Sequence, residues 1–374
     1  MTSRERVVTA LAHKEPDRPP FDCTMTIDTY NNLIEYLGLN IGAAKNCTLF
    51  STVKIDPAVI EAMKLDFAYI GLSPSNIHPS FHYGVDSYTD QWGLVYKKMR
   101  QPNGIVNYQV INAPLEDAGI SDLENYPWPD PSDDSIFADL EKEGELLYKN
   151  TDLALIGNFG GSLFTLASLL RGMEQWYVDL MVNTDFVKKL LERLIEYFNK
   201  VYRRCLEIIG KYLMIIRIDN DDYGTQDGLL ISLETFRTVL KPQISDFYFQ
   251  VKESFQKLNP LGKLMKHSCG DIVDILPDFI NMGIDIIDPV QVSSRGMRIE
   301  RLKCEFGNKL SFHGGIDTQH LLPFCTYEEV RNEVKRTSDV LGKNGGYIVC
   351  PVHHVEGDVP PENLVAIRDQ IVSA

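Results

Sequence analysis

The hexapeptide KHSCGD at residues 266–271 sets a histidine and a cysteine two positions apart. Side chains alternate along an extended strand, so His267 and Cys269 point to the same side and suit a shared ligand. A second thiol, Cys350, lies with His353 and His354 in the run YIVCPVHH at 347–354. One imidazole and two thiolates around zinc form a known catalytic ligand set that leaves the fourth position open. Such a set brings Zn²⁺ close to zero formal charge, which suits binding a thiolate or a departing oxyanion better than making hydroxide. The same residues allow plainer readings. Free cysteine is often a small buried hydrophobe. Cys350 and His353 can pair locally and leave His267 as a satisfied core residue. A Cys–His nucleophilic couple uses the same side chains, although no oxyanion-hole motif accompanies it.

Other reactive residues close similar apolar runs. Asn158 follows LALIG, and Asp219, Asp221, Asp222 and Tyr223 follow LMIIRI. Asp288 and Gln291 follow IDII, His313 and Asp317 follow LSF, and His354 ends YIVCPVHH. The aspartates have a second role open to them as helix caps. In DDYGTQDGLLIS (221–232), Asp222 and Gln226 can likewise cap and brace the helix that comes next.

These runs must be strands if the residues are to meet. Segments 65–72, 153–161, 213–221, 262–270, 284–291, 310–317 and 347–354 are continuously apolar, as parallel strands covered on both faces are. PPFDCT (19–24) is a candidate eighth strand. Between them lie helix-like segments. SLFTLASLLRGMEQWYVDLM reads as one helix, DFVKKLLERLIEYFNKVYRRCLEIIG stops at Gly210, and TYEEVRNEVKRTSDVLG opens on a Thr326/Glu329 capping box and stops at Gly342. Thr2 and Glu5 form another box, and Pro361 suits a first helical turn. Strand–helix alternation repeated about eight times predicts an α/β fold, a single (β/α)₈ TIM barrel over residues 1–374. An N-terminal helical segment and first elements occupy 1–60, and 75–150 is an insertion, part hairpin and part loop. No Gly-rich phosphate fingerprint follows the first strand, which argues against the open doubly wound alternative. The C-terminal strand ends of a barrel converge on one face, so the residues above are expected to meet there.

Composition bounds the function. The chain has 374 residues, 44% hydrophobic and 24% charged, with 37 basic and 52 acidic residues and a net charge of −15. That balance argues against nucleic acid as a partner, since phosphate binding draws on clustered Lys and Arg. No apolar stretch reaches the ~18 residues of a membrane helix, and the opening MTSRERVVTALAHKEPDRPP lacks a signal-peptide core. A cytoplasmic location with no membrane partner follows as an expectation. Seven cysteines (Cys23, Cys47, Cys205, Cys269, Cys304, Cys325 and Cys350) at irregular spacing predict reduced thiols. Cys23, Cys47, Cys205, Cys304 and Cys325 are expected in the core. A homodimer is compatible with the chain.

MTSRERVVTALAHKEPDRPP, HSCGD…LPDFINMGIDIIDPVQ, SFHGGIDTQHLLPF and GGYIVCPVHHVEGDVPPENL resemble the uroporphyrinogen decarboxylase superfamily over almost the whole chain, least in 75–150. The resemblance implies a single (β/α)₈ barrel. The decarboxylases carry an arginine-rich stretch after the first strand that holds substrate carboxylates, whereas FDCTMTIDTY here has no arginine. The cobalamin-dependent methyltransferases of the superfamily carry H-x-C and a later Cys as zinc ligands. The resemblance to that branch, zinc-dependent O-demethylase methyltransferases I included, implies zinc on His267, Cys269 and Cys350. It implies transfer of a methyl group from a methoxylated, in particular aromatic, or methylated small molecule to the Co(I) corrinoid of a separate corrinoid protein. Asp222 and Tyr223 are then the candidate catalytic residues. Asn158, Gln226, Asp288, Gln291, His313, Asp317 and His354 are candidate substrate contacts. The alternatives are a methylcobalamin:thiol (coenzyme M-like) methyltransferase using the same ligands, and a uroporphyrinogen decarboxylase.

Overall fold

The computed structural model describes residues 1–44, 52–72, 85–100 and 106–373; Cys47 and parts of the expected insertion (75–84 and 101–105) lie outside the described residues. Its strands are β1 Phe67–Gly71, β2 Ser87–Thr89, β3 Val95–Arg100, β4 Val106–Val110, β5 Ala154–Asn158, β6 Leu213–Asn220, β7 Lys263–His267, β8 Ile286–Val290, β9 Ser311–Ile316 and β10 Tyr347–Pro351. Seven of the described strands form one parallel sheet in the order β1-β5-β6-β7-β8-β9-β10. The seven long apolar runs are these seven strands.

The expected eighth strand is reduced to a bridge. Phe21 pairs with Val349 in parallel, Asp22 N donates to Val349 O and Val349 N to Pro20 O, and on the other side Asp66 N donates to Phe21 O. Pro19 and Pro20 have no N–H, so the segment cannot sustain a longer ladder. Its place is fixed by Asp66, which is buried, accepts from Phe21 N at 2.8 Å and pairs with Arg6 at 2.6 Å and Arg18 at 2.8 Å.

Alternation splits the strand residues between two cores. Phe67, Ala154, Ile156, Met214, Ile215, Met265, Ile286 and Ile348 form an apolar cluster with Val7 and Leu11 of helix Ser3–Leu11. That helix begins at the Thr2/Glu5 box and lies against the strand beginnings, where Gly346 N donates to Ala10 O and Arg4 N to Asp152 O. Other strand residues, among them Ile216, Ile218 and Leu264, join the larger cluster beneath the helices.

The long helix Thr184–Ile209 ends before Gly210, and Tyr327–Leu341 has both halves of its capping box. The apolar run expected as one helix breaks into Leu163–Arg171 and Met173–Val182 at Gly172, whose φ of +86° is costly for any residue with a Cβ. Within 75–150, the stretch expected as an insertion, the described residues hold the antiparallel sheet β2-β3-β4, and helix Leu140–Asn150 packs on β1 and the long helix. Among the described residues no helix is long and apolar enough to cross a membrane. The six described cysteines are free; Cys23 and Cys205 are buried as expected, but Cys304 is exposed and Cys325 half-buried.

Candidate metal centre

Above the inner apolar cluster the strands carry a continuous chain of polar contacts. Tyr69 of β1 donates to Asp22 Oδ2 at 2.6 Å, and His313 Nε2 of β9 meets the same oxygen at 2.9 Å. His313 Nδ1 lies 2.7 Å from Asp288 Oδ1 of β8. Asp288 Oδ2 in turn lies 2.9 Å from His267 Nδ1 of β7 and 3.0 Å from an Arg217 terminal nitrogen of β6. Five strands and the bridge segment thus supply one network.

Its electrostatics follow from burial among unlike charges. Burial pushes the Asp288 carboxyl up, but Arg217, His313 and His267 outweigh it and hold the group well below the usual carboxylate range. Burial pushes His313 down, yet Cys350, Asp288 and the bonds to both carboxylates carry it well above an ordinary histidine. With a carboxylate at each ring nitrogen, His313 is an imidazolium that donates twice.

His267 differs. Donation from Nδ1 to Asp288 makes Nε2 the lone-pair nitrogen, and Nε2 faces Cys269 Sγ at 3.5 Å. The loop beyond β7 is braced. Cys269 N donates to Asp222 Oδ1 at 2.7 Å, Gly270 N donates to Gln291 Oε1 at 2.8 Å, and Ser268 N donates to Asp288 O. Gly270 has φ +89° and passes Gly224, whose carbonyl carbon would lie 2.4 Å from an added Cβ.

Two sets of donor atoms come within 4.8 Å of one another here, Asp222–His267–Cys269 and Asp22–His313–Cys350; a third, His353–His354–Glu356, lies in the segment after β10. Cys350 therefore groups with His313 and Asp22, while His267 and Cys269 group with Asp222, and Asp288 joins the two. Burial, then Asp222 and Asp288, push the Cys269 thiol far up. Burial pushes Cys350 up to about 11 against the pull of His313. Without a cation both sulfurs are thiols at neutral pH.

The remaining sequence candidates divide. Asp222 is exposed, with Oδ1 3.6 Å from His267 Nε2. Tyr223 is placed with the core instead: it is 1% exposed, packs on Phe164, Phe236 and Phe279, and its hydroxyl has no partner among the described residues. Asp221 caps helix Leu163–Arg171 through the N–H groups of Phe164 and Thr165. Asp219 pairs with buried Lys266 at 2.7 Å and bonds Tyr248. Gln291 is a loop brace, not a free contact. Gln226 is exposed and bonds Gln319 and Ser294, and Asp317 caps its own turn through Gln319 N and His320 N. Asn158 is half-buried at the end of β5, its side-chain oxygen 3.5 Å from Gly160 N. His354 pairs with Glu356, and burial and His354 push neighbouring His353 down to about 4. Asp22, Tyr69 and Arg217 were not singled out from sequence. Arg217 carried a signal, being the one charged residue within LMIIRI.

The family model described as uroporphyrinogen decarboxylase (URO-D) matches residues 109–372. The chain belongs to the URO-D family. Among solved structures, a methyltransferase from Methanosarcina mazei matches with a TM-score of 0.67 at 17% identity, covering 100% of this chain and 99% of that one. At that identity the likeness is one of fold. A methionine synthase from Methanothermobacter thermautotrophicus is 32% identical over 83 residues, 22% of this chain and 26% of the relative. The matched stretch thus spans about a quarter of that protein. The URO-D assignment agrees with the resemblance in KHSCGD, SFHGGID and YIVCPVHH.

Proposed function

We propose that this URO-D family protein is a zinc-dependent methyltransferase that passes a methyl group from a methoxylated or methylated small molecule, an aromatic methyl ether in particular, to a corrinoid carried by a separate protein. The observation that carries the reading is the His267–Cys269 pair, Nε2 and Sγ 3.5 Å apart with Nδ1 held by Asp288. Zinc–sulfur and zinc–nitrogen bonds of about 2.3 and 2.0–2.1 Å at a tetrahedral angle set their atoms roughly 3.6 Å apart. A carboxylate behind a ligating histidine is the usual support for such a site. His267, Cys269 and Cys350 would hold the ion. Cys350 is the weaker member geometrically, because its sulfur falls with His313 and Asp22.

When bound, zinc supplies Lewis acidity toward the leaving oxygen of an ether or toward a thiol. The chain's own groups do the rest. Asp288 sets the tautomer of His267, and the His313 imidazolium with Asp22 fixes Asp288. Asp222 braces the Cys269 loop and, exposed beside His267, is placed to give a proton to the departing oxygen or take one from a thiol. The inner apolar cluster closes the site from below against water. The loading direction rests on the likeness of DDYGTQDG and on Asp222, since Tyr223 faces the core.

Decarboxylation of a tetrapyrrole is disfavoured by the same geometry. The segment where an arginine-rich stretch would lie, FDCTMTIDTY, has no arginine, which leaves the several carboxylates of a tetrapyrrole without their partners.

Metal analysis of the purified protein together with a spectral assay of Co(I) corrinoid methylation over a panel of methoxy compounds tests the proposal. One zinc per chain and methylcobalamin formation with at least one ether are expected. Consumption of methylcobalamin by a thiol with no response to any ether reverses the direction. Coproporphyrinogen formation from uroporphyrinogen overturns the reading.

A further inference from the structure

Arg217 is the least satisfied charged group of the inner network. It lies on β6 opposite Asn158 of β5 and Met265 of β7, between Ile216 and Ile218, which are buried in the outer core. Its side chain is 18% exposed. One terminal nitrogen pairs with Asp288 Oδ2 at 3.0 Å, the oxygen that also takes the His267 Nδ1 hydrogen bond. Its Nε is buried without a partner among the described residues, and its other terminal nitrogen makes no hydrogen bond there. A guanidinium carries five N–H donors and matches a planar oxyanion.

The acids nearby do not meet that demand. Asp288 is shared among Arg217, His313 and His267. Asp22 is committed to Tyr69 and His313. A half-buried, always-charged side chain with open donors beside the His267–Cys269 pair is what an anion site presents before its ligand arrives. Arg193 and Arg331 also bury an Nε without a partner but sit in exposed helix pairs with Glu196 and Glu328, whereas the open donors of Arg217 lie beside the His267–Cys269 pair.

The geometry points to Arg217 as the anchor for a carboxylate on the small-molecule substrate, so that the methyl donor is a methoxy- or methyl-bearing carboxylic acid. The inference rests on the small-molecule site proposed above, but not on the direction of transfer.

Binding tests it without methyl transfer. Zinc-supplemented protein is titrated calorimetrically with two matched pairs, 3-methoxybenzoate against 3-methoxybenzamide and methoxyacetate against methoxyacetamide. Wild type is expected to bind at least one carboxylate about tenfold or more tightly than its amide. Arg217→Gln should erase that preference, carboxylate binding falling by about tenfold more than amide binding. Arg217→Lys, which keeps the charge and loses the fork, should keep part of it, and covers the case in which the glutamine variant does not fold. A wild type that prefers neither carboxylate, or a preference that survives in both variants, overturns the inference. Corrinoid methylation assayed on the same samples keeps the two proposals apart: binding preference without methyl transfer counts against the function alone, and methyl transfer without the preference counts against Arg217 alone.

Discussion

Strands β6 and β7 carry buried charges on both faces, and the two faces do different things. On the helix-covered face of the sheet, Lys266 pairs with Asp219 at 2.7 Å and also bonds the carbonyls of Asp221 and His267, Tyr248 bonds Asp219, and Asp221 caps a helix. On the inner face, one residue from Lys266 and two from Asp219, His267 and Arg217 converge on Asp288. The outer group uses its hydrogen-bonding capacity internally, as a structural cluster must in low dielectric. The inner group keeps a lone-pair nitrogen, two thiols and an unpartnered guanidinium N–H. The contrast separates charges whose hydrogen bonds are spent within the fold from charges that keep bonding capacity open.

Inner substitutions should therefore cost metal and activity, and outer ones stability. The largest effect is expected for Cys269→Ala. Loss of a residue behind a metal ligand costs on the order of 10–100-fold in affinity, and loss of the ligand itself should exceed that, with methyl transfer abolished and the denaturation midpoint nearly unchanged. Retained zinc and activity in that variant would erase the distinction. On the outer face, Lys266→Met strands Asp219 in the core and should destabilise by about 3–5 kcal/mol, read from urea unfolding, while the folded fraction still binds one zinc.

Asp221 gives the outer face a pH signature. Burial, with Asp219 beside it, pushes its carboxyl up to about 7 even though Lys266 and two backbone N–H groups oppose. The folded chain then holds this proton more tightly than the unfolded chain, whose value is near 3.9. The stabilisation is complete below about pH 4 and is lost as pH rises through 7. Wild type should lose a few kcal/mol between pH 5 and 8 relative to Asp221→Asn, and parallel stability profiles would contradict this. The smallest effect is Tyr223→Phe, which removes an orphaned hydroxyl. It should be neutral or stabilise by up to about 1 kcal/mol with methyl transfer intact, and a large activity loss would return Tyr223 to the site.

Much of this was legible in the residues. Continuous apolar runs marked the seven parallel strands, and the Thr2/Glu5 and Thr326/Glu329 boxes marked two helix starts because capping is local chemistry. The eighth strand shrank to a bridge because paired prolines cannot donate. Helix 163–182 broke because Gly172 turns left-handed inside an otherwise regular pattern. In the site, His267, Cys269, Asp288, His313 and Cys350 could be read from strand ends. Facing direction was harder. A register shift between Arg217 and Asp219 sends Asp219 outward beside Lys266, so the acids after LMIIRI could not be sorted by counting. Asp22 was hidden because its segment looked like a strand without a reactive end, and Tyr69 because a tyrosine in an apolar run reads as core.

Zinc K-edge X-ray absorption of the zinc-bound protein tests the central claim most directly. The account predicts one zinc per chain with sulfur scatterers at about 2.3 Å and nitrogen at about 2.0–2.1 Å, the sulfur signal falling in Cys269→Ala and in Cys350→Ala and unchanged in Tyr223→Phe. A protein that takes up no zinc, or binds it through oxygen and nitrogen alone, contradicts it.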